Sequence, residues 1–297
     1  MQVSTNQFYN TSRQNMSALT SSSERLQVEV STGKKLLAPS DDAISFRRLQ
    51  GIKTATANDS AYAANITIAQ ATLSQADTTL STITDQLQRA QELAIKANSG
   101  TISQTDRGVI ADELDSIIKT IVGAANAKDS RGAAIFADDD DPAVVDNGDG
   151  TFTYSTKAPS GIPIGDNSTV QPGEPASRLF SLSGGGDILS SISALSSALR
   201  GTGDLATIAG QTSDALAQSN GNVAAIQGSL GARSQRVDLE SNQMTATGTD
   251  REITRSALED ADATTTIADL QKTMTILQAA QASFTKLSGL SLFDYLR

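Results

Sequence analysis

Apolar residues recur along this chain at spacings of three and four, and the longest such series starts at Ile66. It continues through Ala69, Leu73, Ala76, Leu80, Ile83, Leu87, Ala90 and Ala94. Alternating steps of three and four keep one helix face against a partner, as at the a and d positions of a heptad repeat. Upstream the same frame passes through Ile52, Ala55, Asp59 and Tyr62, with Asp59 as a polar interruption. The pattern predicts one helix from about Asp42 to Ala97, roughly 80 Å long at 1.5 Å rise per residue. Globular helices average about 11–12 residues, so this element reads as a rod and not as a compact-core helix.

The stretch "NSGTISQTD" breaks that pattern, and Ser103 with Asp106 predicts a capped restart. Val109, Ile110, Leu114, Ile117, Ile118, Ile121 and Val122 then predict a helix to about Ala127. The short turn between these two apolar faces favours an antiparallel helical hairpin. Further on, Asp187 is placed to cap a helix through about Leu199, and Asp204 to cap a second long one. That second helix is marked by Leu205, Ile208, Leu216, Val223, Ile226, Leu230, Val237 and Met244. From Val223 its a positions stay apolar while its d positions become Arg233 and Glu240. A seam that is half polar is a poor partner for its own copy and suits packing beside other helices.

Both ends of the chain carry thinner stripes. Ile267, Leu270, Met274, Leu277, Gln281 and Phe284 form the last three-four series, and Leu287, Leu290, Leu292 and Phe293 extend it as an apolar tail. Near the start, Tyr9, Met16, Leu19, Leu26 and Val30 share one heptad frame, with Ser12 and Ser23 as weak positions. Helices this rich in Ser, Thr and Ala take their stability from packing more than from propensity. Two outcomes are open: the terminal helices pack on each other within the monomer, or they order fully only when subunits assemble.

Between the first stripe and the rod lies "VSTGKKLLAPSDD", Val30 to Asp42. Its Gly-Lys pair invites a phosphate-loop reading. Such a loop needs a Gly five residues before the Gly-Lys and a Ser or Thr after the Lys. Val28 and Lys35 occupy those positions, so the reading fails. Gly33 suits the left-handed position after a helix, and Pro39 disfavours helix at Ala38. Ser40 or Asp41 can cap the next helix, with Asp42 in its first turn and Lys34 and Lys35 near the preceding C-terminus. The segment is a joint.

The centre changes character. "DDDDPAVVDNGDGTFTYS" carries Pro142, a Gly-rich turn from Asn147 to Gly150 and the alternating "TFTYS", and four further prolines follow from Pro159 to Pro175. Residues 138–187 therefore read as a small β-rich insertion with loops. Its carboxylates raise calcium binding or an enzymatic site as alternatives. No frame supplies the alternating oxygen ligands, Gly at six and Glu at twelve of an EF-hand, and the acidic run reads as a solvated loop.

Composition removes other classes of function. The 297 residues include no Cys and no His. Zinc sites built on those ligands, His general bases and Ser-His-Asp triads are thereby excluded. A net charge of −10 argues against nucleic acid or an anionic membrane as partner. No apolar run approaches the roughly 20 residues of a bilayer span, and the N-terminus lacks an apolar signal-peptide core. No metal or cofactor is expected.

The order of terminal helix, "STGKKLLAPSDD" joint, long heptad helix with "LQRAQELAIKANSGT", variable centre and C-terminal heptads resembles the flagellin superfamily. "NAKDSRGAAIF" from Asn126, "LGARSQRVD" from Leu230 and the closing "LSLFDYLR" are most similar to the branch that joins hook to filament. The joint lacks the "RINSAKDDAAG"-like wording of filament flagellins, which stay open as the alternative. The resemblance covers about residues 1–137 and 220–297.

It implies a mainly α fold: a long antiparallel coiled-coil or helical-bundle rod built from N- and C-terminal halves, with the β-rich insertion facing outward. The expected division is 1–42 assembly helix and joint, 43–137 and 188–249 rod helices, 138–187 insertion, and 250–297 C-terminal assembly helix. It also implies export through the flagellar type III channel without a cleaved signal. The implied partners are hook-associated protein 1, flagellin, copies of the chain in a tubular ring, and an export chaperone on the C-terminal region. The expected assembly or chaperone surface is Leu270, Met274, Leu277, Phe284, Leu287, Leu290, Leu292 and Phe293 with Met16, Leu19 and Leu26.

Overall fold

The computed structural model describes residues 2–99, 102–138, 141–201 and 204–295, and the side-chain surroundings of those between 7 and 286. Its main elements are α1 (Gln2–Thr32), α2 (Ala43–Asn98), α3 (Gln104–Ala125), β1 (Val144–Asp146), β2 (Phe152–Tyr154), β3 (Ile162–Gly165), β4 (Ser168–Val170), α4 (Ala176–Phe180), α5 (Ile188–Arg200), α6 (Leu205–Glu259) and α7 (Ala263–Tyr295). Two compact units result, one from Met1–Ala57 with Thr247–Arg297, the other Asn58–Ala246. α6 runs unbroken past the division at Ala246/Thr247 and ends at Glu259, and Asp262 caps α7 by accepting the Thr264 N–H at 2.9 Å.

In the unit Asn58–Ala246, the heptad frame of α2 is the core. Ile66, Ala69, Leu73, Ala76, Leu80, Ile83, Leu87, Ala90 and Ala94 are all buried. Bonds from Gln70 to Asp238 (2.8 Å), Gln227 to Ser81 (3.4 Å) and Asn220 to Gln91 (3.4 Å) run in opposite order along the two chains, so α2 and α6 are antiparallel. On the other side α3 returns along α2, tied by Arg89 to Glu113 at 2.7 Å. Ser103 caps α3 by accepting the Asp106 N–H. The apolar face of α3 is as expected except at Val109, which is 62% exposed. Val109 lies outside the arc that Ile110, Ala111, Leu114, Ile117, Ile118 and Ile121 occupy, so it faces away from the core.

α5 packs on α3. Its cap is Asp187, whose Oδ1 accepts the Ser190 N–H at 2.8 Å. The buried hydroxyl of Ser196 lies between the Ala111 carbonyl (3.2 Å) and Asp115 (2.6 Å), and Arg200 pairs with Asp112 and Asp115 at 2.7 Å. A polar group taken out of water costs free energy unless it is bonded, and here it is.

The insertion consists of two hairpins and the short α4. β1 and β2 pair antiparallel with Val144 opposite Tyr154, and β3 and β4 with Ile162 opposite Val170. Glycines at positive φ, Gly148 (79°) and Gly150 (85°), make the first turn possible. The insertion has no core apart from the helices: Phe136, Val144, Ile164, Leu179 and Phe180 join the cluster that α2, α3, α5 and α6 build. Asn126, at the end of α3, fastens it by accepting the Val144 N–H (3.0 Å) and donating to the Val144 carbonyl (2.8 Å).

In the terminal unit α1 and α7 pack closely and antiparallel. Tyr9 meets Phe284 edge-on with ring centroids 5.5 Å apart, while at the other end Gly33 accepts the Ala261 N–H at 2.9 Å. Leu80, wholly buried at the middle of the α2 seam, is the sharpest probe of the larger unit. Leu80→Ala is expected to cost about 2–5 kcal/mol in denaturant unfolding; a loss below about 1 kcal/mol would mean that this seam is not the core.

Candidate assembly site at the joints and terminal helices

The joint after α1 begins as the sequence requires. Gly33 adopts φ 68°, and its N–H donates to Glu29 at 2.9 Å. The joint then pairs with the break between α6 and α7. Lys35 N–H donates to the Glu259 carbonyl at 2.8 Å, Ala261 N–H donates to Gly33, and Lys34 and Asp260 form an antiparallel bridge. Lys35 Nζ also reaches the Ala257 carbonyl at 2.8 Å. Leu36, 5% exposed, anchors the loop.

Glu259 is the charged centre of this crossing, with a side chain only 3% exposed. Its Oε1 accepts Lys34 Nζ at 2.7 Å and Lys53 Nζ at 3.4 Å, and its Oε2 accepts Arg255 Nη1 at 2.7 Å. Three elements thus converge on it: the joint, α2 and α6. The bond from Lys34, helped by Arg255, outweighs burial and lowers its pKa from 4.5 to about 2.

The cap of α2 differs from expectation. Asp42 holds it, with Oδ1 accepting the N–H groups of Ile44 (2.9 Å) and Ser45 (3.1 Å) and Oδ2 accepting the Ser45 hydroxyl (2.6 Å). Asp41 instead closes the preceding turn by accepting from Leu37 (3.0 Å) and Ala38 (2.9 Å). Both carboxyls are held below the usual range, Asp41 chiefly by the Ala38 N–H and Asp42 chiefly by the Ser45 hydroxyl. Ser40 and Pro39 are exposed turn residues, and Ser40 caps nothing. Pro39 forces one turn between Gly33 and the helix start, which moves the cap two residues past Ser40.

On α1, Tyr9, Ser12, Met16, Leu19, Ser23 and Leu26 are half-buried. The stripe then passes to Glu29, buried and bonded by Arg25 Nε at 2.9 Å, while Val30 is 37% exposed. On α7 the face toward α1 is Thr266, Leu270, Thr273, Leu277, Ala280 and Phe284. Leu270, Leu277 and Phe284 are shared with the expected stripe. Ile267, Met274 and Gln281 are not: Ile267 and Met274 are 43% and 46% exposed, and Gln281 is exposed. Two frames pass through the same three large residues, and the one with Thr and Ala between them lets the backbones of α1 and α7 approach. Leu287, Leu290, Leu292 and Phe293 belong to the backbone of α7, and their side chains lie outside the described residues.

The half-polar seam of α6 has a partner that periodicity could not reveal. Arg233 donates to the carbonyls of Gln171 (3.1 Å) and Gly173 (3.0 Å) and pairs with buried Glu174, itself bonded by Arg178 at 2.6 Å. Glu240 lies against the β3–β4 turn, where a Cβ on Gly165 would come 2.9 Å from its Oε1. The insertion covers the seam. Of the acidic residues in the insertion, Asp146 accepts the Gly148 N–H (2.9 Å) and Asp149 the Thr151 N–H (2.9 Å), so both shape the β1–β2 turn; Asp139 and Asp140 lie outside the described residues. Among the described residues no three such side chains gather as metal ligands, and no helix is long and apolar enough to cross a membrane.

Charge is divided unevenly. The unit Asn58–Ala246 contains 11 of the 23 basic residues and 22 of the 33 acidic ones, whereas the terminal unit has 12 basic and 11 acidic. The chain's acidity is therefore carried by Asn58–Ala246, and the terminal unit is close to neutral.

Comparison with known proteins agrees with this architecture. The bacterial flagellin N-terminal helical region matches residues 3–140, and the flagellin C-terminal helical region matches residues 213–296. The chain belongs to the bacterial flagellin family, whose members are structural proteins of the flagellum. Flagellar hook-associated protein 3 of Salmonella typhimurium is 28% identical over 99% of both chains. Flagellin of Escherichia coli is 34% identical, but over 43% of this chain and 25% of its own length. A putative flagellar hook-associated protein from Vibrio parahaemolyticus shares the fold, with TM-score 0.68 and 19% identity over 74% of this chain and all of the other.

The Glu259 cluster has a defined pH response. A carboxyl whose pKa is lower folded than unfolded stabilises above its unfolded value, here about 4.5, and loses that contribution as pH falls toward about 2. Hydrogen-exchange protection at the Lys35 and Ala261 amides is expected to fall across that window. Glu259→Gln should lower the protection at pH 7 and flatten its pH dependence. Protection unchanged from pH 5 to 2 would show that the charge does not hold the joints.

Proposed function

We propose that this chain is a structural subunit that joins the flagellar hook to the filament. The observation that carries the reading is the end-to-end match to hook-associated protein 3, against a match to flagellin that leaves most of both chains uncovered. Filament-forming flagellin is the second reading, favoured only by the shared terminal regions. The subunit works by adhesion and shape, not by catalysis.

On this reading the chain leaves the cell through the flagellar type III channel without a cleaved signal. It meets hook-associated protein 1 on one side, flagellin on the other, and its own copies around a tubular ring. Before export, a chaperone holds the C-terminal region. The assembly surface is the α1–α7 pair: Met16, Leu19 and Leu26 with Leu270, Leu277 and Phe284 hold the pair together. The exposed Met274, with Ile267 and Ile276, faces other subunits, and Leu287, Leu290, Leu292 and Phe293 extend the surface. Gly33, Pro39, Ser40, Asp41 and Asp42 form the joint that aims it.

Leu277→Asp and Phe284→Asp test this. Each places a charge on a half-buried stripe, and burying an unpaired charge costs several kcal/mol. The unit Asn58–Ala246 does not contain these residues, so helicity and melting of the larger core should change little. The expected result is soluble, folded subunits that do not join hook to filament. Secretion assays with chaperone pull-downs separate an export defect from an assembly defect. Normal motility with both variants would remove the α1–α7 pair from the interface.

A further inference from the structure

The chain contains two Asn-Gly pairs, Asn147–Gly148 and Asn220–Gly221. Asparagine is chemically labile, and most so before glycine, where no Cβ hinders the following nitrogen and the backbone turns freely. Asn220 lies within α6, where the Gly221 N–H is committed to the carbonyl four residues back. Asn147 is exposed in the turn between β1 and β2, before a glycine at φ 79°. That turn restrains both reacting groups. The Asn147 amide donates to the hydroxyls of Thr151 (3.0 Å) and Thr153 (3.3 Å), and the Thr153 hydroxyl donates to Asn147 Oδ1 at 3.4 Å. The Gly148 N–H donates to the Asp146 carboxylate at 2.9 Å, and the negative charge there opposes loss of that proton.

We infer that Asn147 is a deamidation site that the closed β1–β2 turn holds off and that converts when the turn opens. In the reaction the Gly148 nitrogen gives its proton to water or hydroxide and bonds to Asn147 Cγ. The Cγ–Nδ2 bond breaks, and the amide nitrogen takes a proton from water and leaves as ammonia. The product is a succinimide, which water opens to aspartate or isoaspartate. In the closed turn the two atoms that must join are each tied elsewhere, the amide to Thr151 and Thr153 and the nitrogen to Asp146. Conversion places a third carboxylate between Asp146 and Asp149. Isoaspartate also adds a backbone carbon, lengthening the loop that the Asn147 N–H closes on the Thr151 carbonyl at 3.1 Å. A converted turn therefore closes less well than before, and the converted fraction records the time the hairpin has spent open.

The full chain is incubated at mildly alkaline pH, folded and in denaturant, and the peptides carrying Asn147 and Asn220 are followed by mass spectrometry for exchange of amide by acid. In denaturant both pairs are expected to convert at similar rates. In the folded chain Asn220 should stay intact. Asn147 should convert there about tenfold or more slowly than in denaturant, since two hydrogen bonds of ordinary net strength amount to such a factor. Thr151→Val with Thr153→Val keeps the β-branched shape and removes both hydroxyls. The double variant should raise the folded rate at Asn147 several-fold, with helicity unchanged and Asn220 still intact. Folded wild-type chain that converts Asn147 as fast as the denatured chain, or a double variant no faster than wild type, overturns the inference.

Discussion

The charge on Glu259 must be satisfied before the two ends of the chain can be ordered together. An ionised carboxylate this deeply buried would be strongly destabilising alone, and it is tolerated because Lys34, Lys53 and Arg255 reach it from three elements. That requirement fixes the joint after α1 against the break before α7. The backbone pairing of Gly33, Lys35, Glu259 and Ala261 follows, and it sets the antiparallel register in which Tyr9 meets Phe284 at the far end. The thin stripes on α1 and α7 would define such a register poorly by themselves. They contain too few large residues and too many interchangeable Ser, Thr and Ala positions.

In the larger unit the controlling constraint is different. The α2 seam buries an uninterrupted apolar frame, and the polar d positions of α6 find partners in the insertion instead of in another helix. Arg233 and Glu174 show why those positions can be charged: each is bonded by groups of the 171–178 segment. The insertion is thus part of the core and also a cover for a seam that would otherwise be open to other helices.

Much of this was legible locally. The α2 frame, the Ser103, Asp187 and Asp204 caps, the Gly33 joint and the "TFTYS" strand follow from spacing, side-chain oxygens and backbone freedom within a few residues. The misses share a cause. The cap at Asp42 instead of Ser40 or Asp41 depends on how one turn closes, and the inward choice of Thr266 and Thr273 over Ile267 and Met274 depends on how closely α1 approaches. The Lys34–Glu259 pair spans 225 residues of sequence and leaves no periodic trace. Hydrophobicity ranks residues by their wish to be buried, whereas packing chooses among frames by fit.

A pair of terminal helices fixed by a buried ionic crossing in a unit close to neutral, with the excess of acidic residues in 58–246, suits a subunit that adheres through its ends and keeps the rest in water. The central claim is that this subunit connects hook to filament. The most direct measurement is electron microscopy of cells from which its gene has been deleted, with flagellin assayed in the medium. The account predicts complete hooks without filaments and flagellin shed into the medium. Filaments of normal length attached to those hooks would contradict it.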